Sequence, residues 1–254
     1  MRLLAADIGN THIHLGLFDG ETLAAAGPIR TDRLHDELDG EWRRIAGDQA
    51  GAPIAGAVVC SVNPKVKIPF AQWVADTYGM RPRVVGENLR VPMPVDVDSP
   101  EEVGTDRIVN AYAAWRLLGR GPIVVADFGT AITLDVVSER GEYRGGVIAP
   151  GVRTASRALE QQTALLPFVK VRKTATAIGR NTIDAINGGL YFGYLGLVDA
   201  LCERVATELG TTPLFLATGG DATLFADRSR HLGEVRLDLT LQGLRLAFDA
   251  ARTT

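Results

Sequence analysis

Two short acidic bends carry the most chemistry in this sequence. Ala6-Asp7-Ile8-Gly9-Asn10 and Ala126-Asp127-Phe128-Gly129-Thr130 each place an Asp near the end of an apolar run, followed by a glycine and a small polar residue. Such a bend offers backbone N–H donors to an anion and a carboxylate to a cation. One Asp-x-Gly-Asn alone is simply a good turn sequence. Two copies, 120 residues apart, point instead to pseudo-symmetric halves facing one ligand across a cleft. Bare carboxylates would repel a phosphate strongly at low effective dielectric, so bound cations must bridge them. A third element, Thr218-Gly219-Gly220-Asp221, follows another apolar run. It either lets a flat ring or a phosphate approach the backbone or is only a strand-to-helix turn.

Composition narrows how phosphate could be held. The four lysines (Lys65, Lys67, Lys170 and Lys173) follow no GxxxxGK[ST] loop, and GxGxxG, HExxH and GxSxG are absent. Backbone N–H groups, hydroxyls, arginines or a metal ion must do the work. With 30 acidic and 27 basic residues interspersed, for a net charge of −3, no basic face exists for nucleic acid. Hydrophobic residues at 46% and charged residues at 22% are ordinary globular usage. Cys60 and Cys202 lie in unrelated apolar contexts without metal-ligand spacing and read as reduced core residues. No apolar run is expected to approach the ~20 residues that span a bilayer. The N-terminus reaches an acid and a glycine too soon for a signal peptide. The expected location is cytoplasmic, with neither nucleic-acid nor membrane partners.

The elements around the bends follow from periodicity. Residues 3–7 and 12–18 read as a hairpin, with Ile13, Leu15 and Leu17 alternating against His12, His14 and Gly16. The two histidines share a strand face and read as solvent-facing. A helix is expected from Thr31, with Leu34, Leu38, Trp42 and Ile45 on one stripe. A buried strand over 57–62, a helix over 69–78 and a short strand at 84–85 follow. Ser99-Pro100-Glu101-Glu102 is a capping box, with a helix starting there or at Thr105. The second half offers strands over 123–137 and up to 151. It continues with a long helix over 182–209 capped by Asn181, a strand over 214–220, a short helix from Asp221 and a last helix over 241–251. Glycines 188, 189, 193 and 196 each cost the long helix about 1 kcal/mol relative to Ala. Another backbone therefore packs close by, either within the chain or from a second subunit. Strands alternating with helices in both halves give an α/β class with two similar domains, 1–118 and 119–254.

The order of bend, bend and GG turn resembles the acetate and sugar kinase/Hsp70/actin superfamily. Six segments narrow the resemblance to type III pantothenate kinase along nearly the whole chain: DIGNTHIHLGLFDG (7–20), SPEEVGTDRIVNAYAA (99–114), VADFGTAITLDVV (125–137), YRGGVIAPGV (143–152), IGRNTIDAINGGLYFGYLG (178–196) and ATGGDATL (217–224). The resemblance implies duplicated actin-like (ribonuclease H-like) domains, each a mixed β-sheet flanked by helices, with an ATP cleft. It implies transfer of phosphate from ATP to the pantothenate hydroxyl, at the start of coenzyme A synthesis. Mg2+, a monovalent cation (K+ or NH4+) and a homodimer formed through the 182–209 helix come with it.

By the same resemblance, Asp7, Ile8, Gly9, Asn10, Thr11, His12, Ile13 and His14 hold the ATP phosphates, with Asp7 on Mg2+. Asp127 takes the monovalent cation, and Gly129, Thr130, Gly219 and Gly220 contact the nucleotide. Gly104, Thr105, Asp106 and Arg107 form the pantothenate segment, with Asp106 as proton acceptor, and Thr182 reaches substrate near the dimer interface. Read alone, Asp106 is a helix-start acid favoured by the dipole and Arg107 its surface partner. Val97 stands where the family commonly has a substrate-contacting Tyr. That departure keeps open a kinase for another small alcohol or an ATPase; a non-catalytic nucleotide-binding protein is a separate alternative, against which Asp7, Asp106 and Asp127 argue.

Overall fold

A computed structural model describes residues 1–252; the side chains of residues 33–36, including Leu34 of the expected stripe, lie outside that description. In chain order the elements are β1 (Arg2–Ile8), β2 (His12–Asp19), β3 (Thr22–Arg30), α1 (Leu34–Ala46), β4 (Gly56–Ser61), α2 (Pro64–Tyr78), β5 (Arg83–Val84) and α3 (Thr105–Leu118). Then follow β6 (Ile123–Phe128), β7 (Ala131–Val137), β8 (Tyr143–Pro150), α4 (Val152–Gln162), α5 (Thr182–Leu209), β9 (Leu214–Thr218), α6 (Ala222–Phe225), β10 (Glu234–Val235) and α7 (Leu239–Ala250).

They form two compact units. The first comprises residues 1–94, 98–117 and 238–254, and the second residues 95–97 and 118–237. The chain passes from the first unit to the long segment of the second after Leu117. The last helix, however, belongs with the first unit, because chain order does not reveal which sheet a C-terminal apolar stripe will cover.

The units share one topology. Their sheets run β3-β2-β1-β4-β5 and β8-β7-β6-β9-β10, an antiparallel meander extended by two parallel strands. In each unit the Asp-bearing strand is central. In the first, Ile8, Ile13, Leu15 and Val59 pack with Trp42 of α1 and Phe70 of α2. The Trp42 indole donates to the Tyr78 hydroxyl at 2.7 Å, which satisfies its polar tip. In the second, Phe225 stacks on Phe128, Tyr191 and Tyr194 at 5.6, 6.0 and 6.2 Å between ring centres.

Several elements differ from expectation. Sequence reading gives no strand at β3, where AAAGPI does not alternate; Pro28 is tolerated there because β3 is an edge strand. α2 begins at Pro64, five residues before expectation, and carries Pro69 within it. Ser99 makes no side-chain cap; residues 100–102 form one 3₁₀ turn and α3 starts at Thr105. α4 is absent from the expectations altogether. Asn181 caps α5 as expected, accepting from the Asp184 N–H at 2.9 Å.

By length and a mean hydropathy of 1.2, α5 is apolar enough to cross a bilayer, contrary to the expectation that no run approaches that length. Its inward face nevertheless serves the core through Tyr191, Tyr194, Val198 and Cys202. Asp199 on the same helix is tied by Ser229 and Arg230. Gly188 packs against its own chain, since a Cβ there would lie 2.6 Å from the Ala177 carbonyl oxygen. Gly189, Gly193 and Gly196 meet nothing within 4 Å. With Ala185 and Phe192 they form an exposed stripe along the helix. Both cysteines are buried and free.

Candidate active site

In the first unit, strand alternation sends Leu4, Ala6 and Ile8 into the core and Asp7 to the opposite face. α7 packs on that face and α3 packs on α7. A Cβ on Gly56 would collide with the Phe248 ring, and one on Gly243 would lie 2.5 Å from the Val109 carbonyl oxygen. Register then determines Asp7's neighbours: His14 on β2 and Cys60 on β4 are its cross-strand partners. Cys60 Sγ donates to Asp7 Oδ1 at 3.2 Å.

Burial beneath the helices pushes the Asp7 carboxyl up to about 6, the nearby Asp106 charge pushes it the same way, and the Cys60 bond opposes both. Burial and the neighbouring His12 hold the His14 imidazole below its usual range, so it is neutral at pH 7 and gives Asp7 no cation. The His12 and His14 rings lie 6.2 Å apart on one face, as the alternation requires. Both are half-buried rather than solvent-facing, because they share the helix-covered face with Asp7.

The bend after Asp7 is built to present N–H groups. Gly9 N donates to His12 O at 3.0 Å, and Thr31 donates to the Asn10 and Thr11 carbonyls. With those carbonyls engaged, the exposed Asn10 and Thr11 have their amide groups to offer an anion. Asp106 sits in the first turn of α3, where its Oδ1 accepts from Arg107 N at 2.9 Å. The Thr105 hydroxyl beside it is buried and has no hydrogen-bond partner among the described residues. Sequence reading thus places Asp7 and Asp106 in separate motifs, and the fold brings them within electrostatic reach of each other.

In the second unit the corresponding bend is one residue shorter. Asp127 pairs with Thr133 and Gly129 N donates to Ala131 O at 3.0 Å. The N-terminus of α4 closes on it: Gly151 N and Thr154 Oγ1 both donate to the Thr130 carbonyl, at 2.9 and 2.7 Å. The GG turn also abuts the bend, since β9 runs parallel to β6 with Asp127 opposite Thr218. Gly219 has φ +92, and a Cβ there would lie 2.6 Å from Phe128 N and collide with Asp127 Oδ1. Gly219→Ala should therefore lower the melting temperature, by about 1–3 kcal/mol of strain, and weaken ATP binding in a calorimetric titration. Unchanged binding would exclude the turn from the nucleotide site. The Asp221 carboxyl is raised by burial, against the pull of Arg153 and Lys170.

Val97 belongs to this unit, where a Cβ on Gly145 of β8 would touch it at 3.6 Å. Thr182 is the exposed first residue of α5. It lines a groove of about 570 Å³ with Leu159, Leu166, Arg180, Ile186 and Leu190. Cys60 is the site neighbour that sequence reading misses: it enters as a core residue, and only the parallel register of β1 and β4 sets it against Asp7.

The donor set suits hard cations. No cluster of three or more His, Cys, Asp or Glu able to hold a metal exists among the described residues. Mg2+ typically uses one or two carboxylates and completes its shell with water and substrate phosphates, and a single Asp7 carboxylate at the bend is compatible with that.

Comparison with known proteins identifies the family. The family model for type III pantothenate kinase matches residues 3–204. A type III pantothenate kinase from Dehalococcoides mccartyi is 42% identical over 252 residues, covering 97% of this chain and 95% of the relative. Among solved structures, the ethanolamine utilization protein EutJ from Carboxydothermus hydrogenoformans superposes with a TM-score of 0.58 at 18% identity, covering 97% of this chain and 90% of its own. The ROK hexokinase from Thermus thermophilus gives 0.51 at 16%, covering 97% and 98%. Both show the actin-like fold in its duplicated form. On the matched residues and the full-length identity, the chain belongs to the type III pantothenate kinase family.

Proposed function

We propose that this chain transfers the γ-phosphoryl group of ATP to the hydroxyl of pantothenate, giving 4′-phosphopantothenate at the entry to coenzyme A synthesis. The observation that carries this reading is the electrostatic coupling of Asp7 to Asp106 within the first unit. An acid raised by burial and by its acidic neighbour, beside a bend with backbone N–H groups, suits a site in which one carboxylate holds a cation and the other faces the acceptor.

The Asn10 and Thr11 amides hold phosphate oxygens, and residues 7–14 form the wall around them. In the second unit, Gly129, Thr130, Gly219 and Gly220 are the nucleotide contacts of this reading. Asp7 would hold Mg2+ and Asp127 would hold K+ or NH4+, and these ions would supply the charge neutralisation that a P-loop lysine gives elsewhere. Arg107, a rigid fork of donors, pairs with the pantothenate carboxylate. Gly104 and the buried Thr105 hydroxyl belong to the same segment, and the family's pattern adds Val97 and Thr182 as substrate contacts.

An aspartate of ordinary pKa, near 3.9, cannot deprotonate an alcohol in advance. Asp106 orients the hydroxyl and takes its proton late. The hydroxyl oxygen bonds to the γ-phosphorus, the bond to the bridging oxygen breaks, and ADP leaves. Phosphoryl transfer depends mainly on positioning and charge neutralisation, so a late base suffices.

The exposed Ala185, Gly189, Phe192, Gly193 and Gly196 stripe, beside the groove that holds Thr182, supports a homodimer through α5. The core-facing side of α5 supports a role inside the protein rather than in a bilayer, and the two buried free thiols support a reducing, cytoplasmic setting.

The test is ADP release with and without pantothenate, in K+ or NH4+ buffer and then in Na+ alone. Release should require pantothenate and fall sharply in Na+. Release indifferent to pantothenate would leave a kinase for another alcohol or an ATPase, and no release at all would leave a nucleotide-binding protein.

A further inference from the structure

Asp7 lies at the open end of β1, and its carboxylate can rotate about two side-chain bonds unless something fixes it. His14, its partner on β2, is neutral. Cys60, its partner on β4, is fully buried, and its thiol donates to Asp7 Oδ1 at 3.2 Å. A bond to one carboxylate oxygen restricts rotation of the group and leaves its second oxygen outside that bond. The second unit repeats the arrangement in its register: the buried Thr218, another side chain with a donor, stands opposite Asp127 on the parallel neighbouring strand. A donor-bearing side chain beside the acid is therefore common to both halves of the duplicated fold, although the two side chains differ chemically.

We propose that Cys60 is a positioning residue, whose thiol holds the Asp7 carboxylate in the orientation that receives the Mg2+ of the bound nucleotide. This rests on the assignment of Asp7 to Mg2+ above. Groups that orient a metal ligand typically change metal affinity or activity by about 10–100-fold when removed. A thiol is a weak donor, so the lower end of that range applies.

Cys60→Val and Cys60→Ser separate orientation from packing. Val fills the buried site and has no donor; Ser keeps a donor and loses volume. The affinity of the non-hydrolysable analogue AMPPNP is measured by calorimetry with Mg2+ and again in EDTA, for the wild type and both variants, alongside melting curves. The ratio of the two affinities should fall about 10-fold in Cys60→Val and stay within about twofold of wild type in Cys60→Ser. That order should hold even though Val, as the better space-filler, melts at or above Ser. A wild-type ratio in Cys60→Val, or an equal loss in both variants, overturns the role of Cys60 while leaving Asp7 on Mg2+. A wild-type affinity indifferent to Mg2+ overturns the assignment of Asp7 itself, and the proposal with it.

Discussion

Asp106→Asn should lower kcat by about 10²–10⁴-fold, the usual contribution of a positioned general base, while ATP affinity changes by less than about twofold. The amide preserves the local structure, because its oxygen can still accept the Arg107 N–H bond now made by Asp106 Oδ1. What it loses is the capacity to take the hydroxyl proton. Steady-state kinetics with a parallel ATP titration would check this. A collapse of ATP affinity with little change in kcat would move Asp106 from the acceptor side to the nucleotide side. The charge change has a second consequence: Asp106 helps to raise the Asp7 carboxyl, so its removal lets Asp7 ionise at lower pH. Mg2+-dependent nucleotide binding by the variant should accordingly persist to lower pH than in the wild type.

Asp7→Asn should be inactive and yet more stable. Activity is lost with the cation ligand. The stability effect comes from the rise of the Asp7 carboxyl from 3.8 to about 6 in the folded chain. Between those values the folded state holds a proton that the unfolded state has released, so wild-type stability falls as pH rises through the window. Above pH 6 the full cost of the buried carboxylate is present, on the order of 2–3 kcal/mol. The Asn variant carries no such cost. In EDTA and without nucleotide its melting temperature should exceed that of the wild type by roughly 5–10 °C at pH 7.5, and the difference should shrink towards zero near pH 3.5. A variant less stable than the wild type at pH 7.5, or a gain independent of pH, would show that Asp7 is not held at a structural cost. Trading stability for a poised charge is common at functional sites.

The sequence by itself determined the parts whose information is local. The paired Asp-x-Gly bends, the Asn181 cap, the long α5 helix and the two-fold repeat are all visible in residue order, because turn chemistry, capping and periodicity act within a few positions. The motifs of the family were equally legible as strings. Local signals also fell short: the helix expected over 69–78 starts at Pro64 and runs through Pro69. β3 left no alternation to read, since an edge strand buries little on either face.

Only the tertiary structure decided who stands beside whom. Cys60 and His14 meet Asp7 through strand register, a relation that no spacing along the chain encodes, and burial on the face that α7 packs against raises the Asp7 carboxyl. The return of α7 to the first unit has the same origin. An apolar helical stripe specifies that a helix must be covered, whereas the choice of sheet depends on which surface the rest of the fold leaves open.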